Sequence, residues 1–243
     1  MSEGYVAQAQ SARGEVVLRR RAYDDALELR VNGVFAMDTA ETTTERLLAS
    51  RSLAAFRSCA PTRPATVLVG GLGLGFTLDQ LLRDDLVERV LVAEIEPALV
   101  GWHRQGLVPQ TATATGDGRV QLHTGDVADV VAEMPAESVD VIVLDVDNGP
   151  GFLVYDANAS LYQGGFLRDC RLALTPGGVL TIWSSTPAPE LAATIREVFD
   201  CCDVVSEPVV LGRRETAYHL LVGRMPERDR DRDRYRARPQ AGV

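Results

Sequence analysis

ATVLVGGLGLGFTLDQLLRDDLVERVLVAEIE, residues 65–96, contains an apolar run, a glycine-rich turn, a helical pattern and a second apolar run. The run Thr66 to Val69 lacks polar alternation, as expected of a parallel strand buried on both faces. It ends in Gly70, Gly71, Gly73 and Gly75. Glycines at this spacing let the backbone turn sharply and approach a ligand that any Cβ would hold off. Phe76 to Leu82 carries apolar residues at helical spacing, and Val90 to Ala93 forms the second strand. That strand delivers Glu94 about 20 residues beyond the glycines, where a carboxylate accepts hydrogen bonds from both hydroxyls of a ribose. The stretch therefore predicts a βαβ unit aimed at a nucleotide-like ligand. A glycine turn alone would also suit an α/β protein without a ligand; the spaced acid favours binding.

The rest of the composition is compatible with this reading. A chain of 243 residues, 46% hydrophobic, has enough apolar content for one large domain with a small appendage. A net charge of −9 repels polyanions, so nucleic acid is not expected as a partner, whereas a cationic small molecule is attracted. All 25 basic residues are arginine, which excludes Schiff-base chemistry on lysine. Cys59, Cys170, Cys201 and Cys202 have no metal-ligand spacing, and no metal is expected. The first ten residues lack the apolar core of a leader, and no apolar run approaches a membrane span of ~20 residues, so the expectation is a reduced cytoplasmic protein without membrane contact.

Taken in order, residues 1–14 read as a flexible N-terminus and 15–60 as a small β-hairpin region with a linking helix. Asn32-Gly33 between LELRV and VFAM is a strong hairpin signal. The helix over Thr39 to Cys59 buries Leu47, Leu48, Leu53, Ala54 and Phe56, and Pro61 and Pro64 separate this appendage from a main domain over 61–224. Within that domain Pro97 opens a helix, Gln110 to Gly118 reads as a surface loop, and Val120 to His123 and Val139 to Leu144 read as further strands. A long loop, VDNGPGFLVYDANAS, leads to a helix near Leu161 to Leu174. The strand VLTIW, a helix over Glu190 to Phe199 and two closing strands follow. Strand–helix alternation predicts a mainly parallel sheet, seven strands in all, with helices on both faces; the two closing strands predict an antiparallel hairpin at one edge. Residues 225–243, rich in Arg and Asp, read as a disordered tail.

Ligands of open α/β sheets lie beyond the carboxyl ends of the strands. Those ends carry Gly71, Gly73, Gly75, Glu94, Asp126, Asp145, Asp147 and Ser184, an acidic rim. Asp126 suits an exocyclic adenine amino group, with a helix N-cap as the purely structural alternative. Asp145 precedes a glycine-containing loop long enough to close over a substrate, where a carboxylate binds an ammonium group and accepts its proton; a simple Asx turn is the alternative. His103, His123 and His219 make no ligand cluster, and Trp183 reads as core.

VLVGGLGLG, VAEIEPALV, GD and VIVLDVDNGPG…SLYQGGFLRDCRLALTPGGVL together resemble the spermidine synthase (polyamine aminopropyltransferase) family. That family is a branch of the class I S-adenosylmethionine-dependent methyltransferase fold, a Rossmann-like sheet with a small N-terminal β region. The resemblance implies that Glu94 holds the donor's ribose with Glu96 nearby, that Asp126 meets the adenine, and that Asp145 is the proton acceptor. Asp147, Asn148 and Tyr162 fall in the substrate-binding part of the pattern. Two positions depart from it: Asn148 stands where the second signature aspartate belongs, and Thr43-Thr44-Glu45 stands where the family has Y-H-E.

The expected activity is transfer of an aminopropyl group from decarboxylated S-adenosylmethionine to a cationic amine. Two alternatives keep the fold: methyl or aminocarboxypropyl transfer from S-adenosylmethionine itself, and a non-catalytic nucleoside-binding homologue. A dinucleotide-dependent dehydrogenase fits the glycine loop and Glu94 but not the N-terminal β region. Relatives of this type commonly pair, so a homodimer through the hairpin Leu27 to Met37 is open to the chain.

Overall fold

The computed structural model describes residues 4–59, 63–211 and 214–226. The N-terminal strands β1 (Gly4–Ser11), β2 (Gly14–Arg20), β3 (Leu27–Val31) and β4 (Val34–Asp38) form an antiparallel sheet in the order β1-β2-β3-β4. Gly4–Ser11 is thus a strand paired with β2, with a register shift between Tyr5 and Ala7, and not a flexible start. Asn32 and Gly33 both take positive φ, 52° and 77°, which gives the two-residue turn the twist that the β3–β4 hairpin needs.

Helix α1 (Thr43–Cys59) begins four residues later than the sequence suggests. Its buried stripe runs through Leu48, Ser52, Leu53, Ala55 and Phe56, while Ala54 is exposed, because only spacings of three and four keep to one face. The central unit follows as expected: β5 (Ala65–Gly70), α2 (Phe76–Leu82), β6 (Val87–Glu94) and α3 (Pro97–Arg104). The expected surface loop after it holds a 3₁₀ turn and the short helix α4 (Ala112–Thr115), with Thr111 and Ala114 buried. Then come β7 (Val120–Thr124), α5 (Val127–Glu133), β8 (Val139–Leu144), α6 (Gly164–Ala173), β9 (Leu174–Ser184), α7 (Pro189–Phe199), β10 (Asp203–Leu211) and β11 (Arg214–Arg224). The Pro61 linker and the tail beyond residue 226 lie outside the described residues.

The main sheet has seven strands in the order β10-β11-β9-β8-β5-β6-β7. The run β9-β8-β5-β6-β7 is parallel, and β11 joins β9 antiparallel, so the predicted terminal hairpin forms one edge. Strand β5 pairs with β6 on one side and β8 on the other, so the chain reverses direction across the sheet between β5 and β8; the crevice at that reversal is where open α/β sheets bind ligands. One face of the sheet packs on α1 and α2, the other on α5, α6 and α7. A third core joins the N-terminal sheet to the main domain: Val16, Leu18, Leu27 and Leu29 meet Leu74, Phe76, Leu99 and Trp102. The N-terminal region is therefore the wall of the crevice, and its removal would expose the residues around the glycine loop.

Candidate active site

The crevice is a cavity of about 420 Å3 bounded by the β3–β4 hairpin, the glycine loop after β5, the ends of β6 and β8, and the loop after β8. Gly71 sits with φ of +94° where a Cβ would overlap the carbonyl oxygen of Asp145, so only glycine allows the ends of β5 and β8 to meet. Asp145 donates its N–H to the Gly70 carbonyl at 2.8 Å across the same junction. Three side chains hold the loop from outside. His103 Nε2 lies 2.9 Å from the Gly73 carbonyl, which can only accept, so Nε2 carries the proton; burial lowers the pKa of this imidazole and keeps it neutral. Thr111 donates to the Leu74 carbonyl at 2.8 Å, and the Leu74 N–H points at Met37 Sδ at 3.2 Å.

Glu94, 5% exposed at the end of β6, accepts from the Leu72 N–H through Oε2 and from the Glu96 N–H through Oε1, both at 2.8 Å. These bonds fix the carboxylate beside the glycine loop and leave further lone pairs on both oxygens for ligand hydroxyls. Burial raises its pKa, opposed by those N–H donors. Glu96 is pinned differently. Its Oε1 accepts from Ser11 of β1 at 3.1 Å and from the Tyr155 hydroxyl at 2.9 Å, tying the loop over the cavity to the N-terminal sheet. Asp126 caps α5 by accepting from the Ala128 N–H at 2.9 Å, the N-cap role open to it from sequence, and also lines the cavity.

Asp145 Oδ2 accepts a hydrogen bond of 2.6 Å from the Thr77 hydroxyl, and burial raises its pKa. Asp147, two residues on, turns away into the loop. It accepts from the Val154 N–H at 2.6 Å, Asn158 Nδ2 at 3.0 Å and the Tyr162 hydroxyl at 3.0 Å, and so acts as the anchor of this loop. Asn148 lines the cavity, and its backbone carbonyl accepts from the N–H and hydroxyl of Ser185 at 2.9 and 2.8 Å. Tyr162 is buried behind Asp147 and does not line the cavity. Gly71, Gly73, Glu94, Glu96, Asp126, Asp145, Asp147 and Asn148 therefore converge on one space, whereas Gly75 and Tyr162 support it from behind.

Glu45, in the first turn of α1, is a further lining residue that no motif nominated beyond its place in the Thr43-Thr44-Glu45 triplet. Its carboxyl is lifted to about 7, first by desolvation and then by the charge of Asp145. Thr77 and Tyr155 likewise had no sequence signal, since their partners are 68 and 59 residues away. Among the described residues no His/Cys/Asp/Glu group is arranged to hold a metal ion.

Residues 47–209 match the family model for the spermine/spermidine synthase domain. The chain belongs to that family. Within the spermine/spermidine synthase family, a polyamine aminopropyltransferase of Nitrosococcus oceani is 34% identical over 124 residues, covering 51% of this chain and 42% of that protein. Putrescine N-methyltransferase 2 of Nicotiana tabacum is 33% identical over 144 residues, 56% of this chain and 38% of that protein. The matched stretch thus spans less than half the length of these relatives. The spermidine synthase of Thermotoga maritima shares the fold, with a TM-score of 0.74 at 19% identity over 92% of this chain and 74% of that structure. The resemblance read from the motifs and the class I methyltransferase-like sheet are both borne out.

Proposed function

We propose that the protein is a transferase that moves an aminopropyl group from decarboxylated S-adenosylmethionine to a cationic amine. The carrying observation is the charge of the cavity wall. Glu45, Glu94, Glu96, Asp126, Asp145 and Asp147 line it, and no arginine or histidine is among the described lining residues. Such a wall attracts a sulfonium and an ammonium, while the α-carboxylate of S-adenosylmethionine would find no cation to pair with. Decarboxylation removes that mismatch. Gly71 and Gly73 would give the donor its close backbone approach, Glu94 its ribose contact and Asp126 its adenine contact. In the reaction a neutral amine attacks the carbon beside the sulfonium, the C–S electrons pass to sulfur, and methylthioadenosine leaves. Asp145 accepts the proton that frees the amine's lone pair. Asn148, with the loop anchored by Asp147 and Tyr162, would close on the acceptor and align it. Thermal-shift measurements with decarboxylated S-adenosylmethionine, S-adenosylmethionine, methylthioadenosine and NAD test the donor site: stabilisation by the decarboxylated donor and methylthioadenosine is expected, and a response to NAD alone refutes the proposal.

A second reading, methyl transfer to an amine from S-adenosylmethionine, is favoured by one observation. Thr43 and Thr44 replace the tyrosine and histidine of the family pattern, and a putrescine N-methyltransferase is among the relatives. The acidic wall serves an amine acceptor in either case.

A further inference from the structure

Of the six carboxylates around the cavity, four are already committed to donors within the protein. Glu94 holds two backbone N–H groups, Glu96 holds Ser11 and Tyr155, Asp126 caps α5, and Asp147 holds three donors of its loop. Glu45 and Asp145 are different. Each receives a single hydroxyl, from Thr44 at 2.7 Å and from Thr77 at 2.6 Å, and no arginine reaches either among the described residues. They approach from separate elements, the first turn of α1 and the end of β8. Thr77 sets the spacing, its hydroxyl lying 2.6 Å from Asp145 Oδ2 and 3.4 Å from the Glu45 backbone carbonyl. The guanidinium of Arg46, the residue after Glu45, is turned to Asp79 at 2.8 Å and stacks over Phe76.

We propose that Glu45 is a substrate-binding residue that, with Asp145, clamps the reacting ammonium group of the acceptor between two carboxylates. This rests on the amine-acceptor reading above and assigns the place left by Thr43 and Thr44. Among the described residues, the titratable groups coupled to Glu45 are acidic or neutral. Asp145 lies at the end of β8, Glu41 precedes α1, and Tyr218 comes from β11, where burial and then the charges of Glu45 and Glu41 raise its phenol. The clamp therefore lacks a counter-charge until an amine enters. With the Glu45 carboxyl at about 7, the empty pair holds part of a proton near neutrality, and a bound ammonium expels it by stabilising both ionised forms. In the chemical step one ammonium proton passes to Asp145, the freed lone pair forms the N–C bond, and the C–S bond breaks toward sulfur. The product leaves as a secondary ammonium, and Asp145 returns its proton to water.

The test uses the full chain with decarboxylated S-adenosylmethionine as donor and putrescine as the diamine probe. Glu45→Gln keeps shape and removes the charge. The expected result is a KM for the diamine raised about tenfold or more, with a smaller change in kcat and unchanged methylthioadenosine affinity. Calorimetry in two buffers of different ionisation enthalpy should find proton release on diamine binding in the wild type and its loss in the variant. The acidic limb of the kcat/KM profile should move to lower pH, and Glu45→Asp should restore part of the affinity. A Glu45→Gln protein with unchanged diamine KM, proton count and pH profile overturns the clamp while leaving the transferase reading intact. A wild type that binds methylthioadenosine but neither binds nor turns over the diamine overturns the acceptor reading and the clamp together.

Discussion

Asp145→Asn separates chemistry from binding because the structure gives it opposite effects on rate and stability. Asn preserves the volume of the side chain and can still accept the 2.6 Å hydrogen bond from Thr77 through its amide oxygen, but it cannot take a proton. Loss of a general base lowers turnover by about 100-fold or more, or ~2.7 kcal/mol of transition-state free energy. Donor affinity should change little, since Asp145 is not assigned a donor contact. Stability should move the other way. Burial raises the pKa of Asp145, so in the folded state the ionised form is disfavoured relative to the unfolded chain. The wild type loses that stability as pH rises from the unfolded pKa to the folded one, at about 1.4 kcal/mol for each pH unit that separates the two. The variant has no such charge, so its Tm should match the wild type below the unfolded pKa and exceed it at pH above the raised folded pKa. Single-turnover rates, methylthioadenosine titration and melting curves across pH read all three. Full turnover in Asp145→Asn would refute the assignment, leaving Asp145 as a turn residue.

Glu94→Ala leaves the N–H groups of Leu72 and Glu96 without their carboxylate partner and removes the ribose contact. At about 1.5 to 3 kcal/mol per charged hydrogen bond, methylthioadenosine affinity measured by calorimetry should fall roughly ten- to a hundredfold or more, together with a lower Tm. Gly71→Ala forces a Cβ against the Asp145 carbonyl at a φ of +94°; the backbone strain alone costs about 1 to 3 kcal/mol, visible in denaturant melts. Tyr155→Phe cuts the 2.9 Å bond to Glu96 that ties the loop over the cavity to the start of α3 and, through Ser11, to β1. Hydrogen exchange in residues 149–158 should accelerate with the global melting point little changed.

The βαβ unit was legible because its evidence is local: an unbroken apolar strand, glycines at fixed offsets and an acid in register. Asn32-Gly33 likewise announced its hairpin through backbone chemistry alone. Strand β1 was not legible, since GYVAQAQS has weak alternation and a register shift between Tyr5 and Ala7 interrupts it further. Helix α4 is four residues of Ala and Thr, too short to show a period. Strand β9 starts at Leu174, ahead of the turn residues Pro176 to Gly178, because its pairing with β8 is irregular there and tolerates them. In the site, strand-end carboxylates could be named from position, but not their partners. That Asp147 anchors the loop and Asp145 faces the cavity depends on contacts with Val154, Asn158, Tyr162 and Thr77, which sequence spacing does not encode.

The most direct measurement is identification of the nucleoside product formed by the full chain with a short diamine, offered decarboxylated S-adenosylmethionine and S-adenosylmethionine in separate reactions. The acidic wall, with no arginine or histidine among its described lining residues, predicts methylthioadenosine and an aminopropylated amine from the decarboxylated donor, with no turnover of S-adenosylmethionine. Adenosylhomocysteine formed from S-adenosylmethionine, with the decarboxylated donor inert, would contradict it.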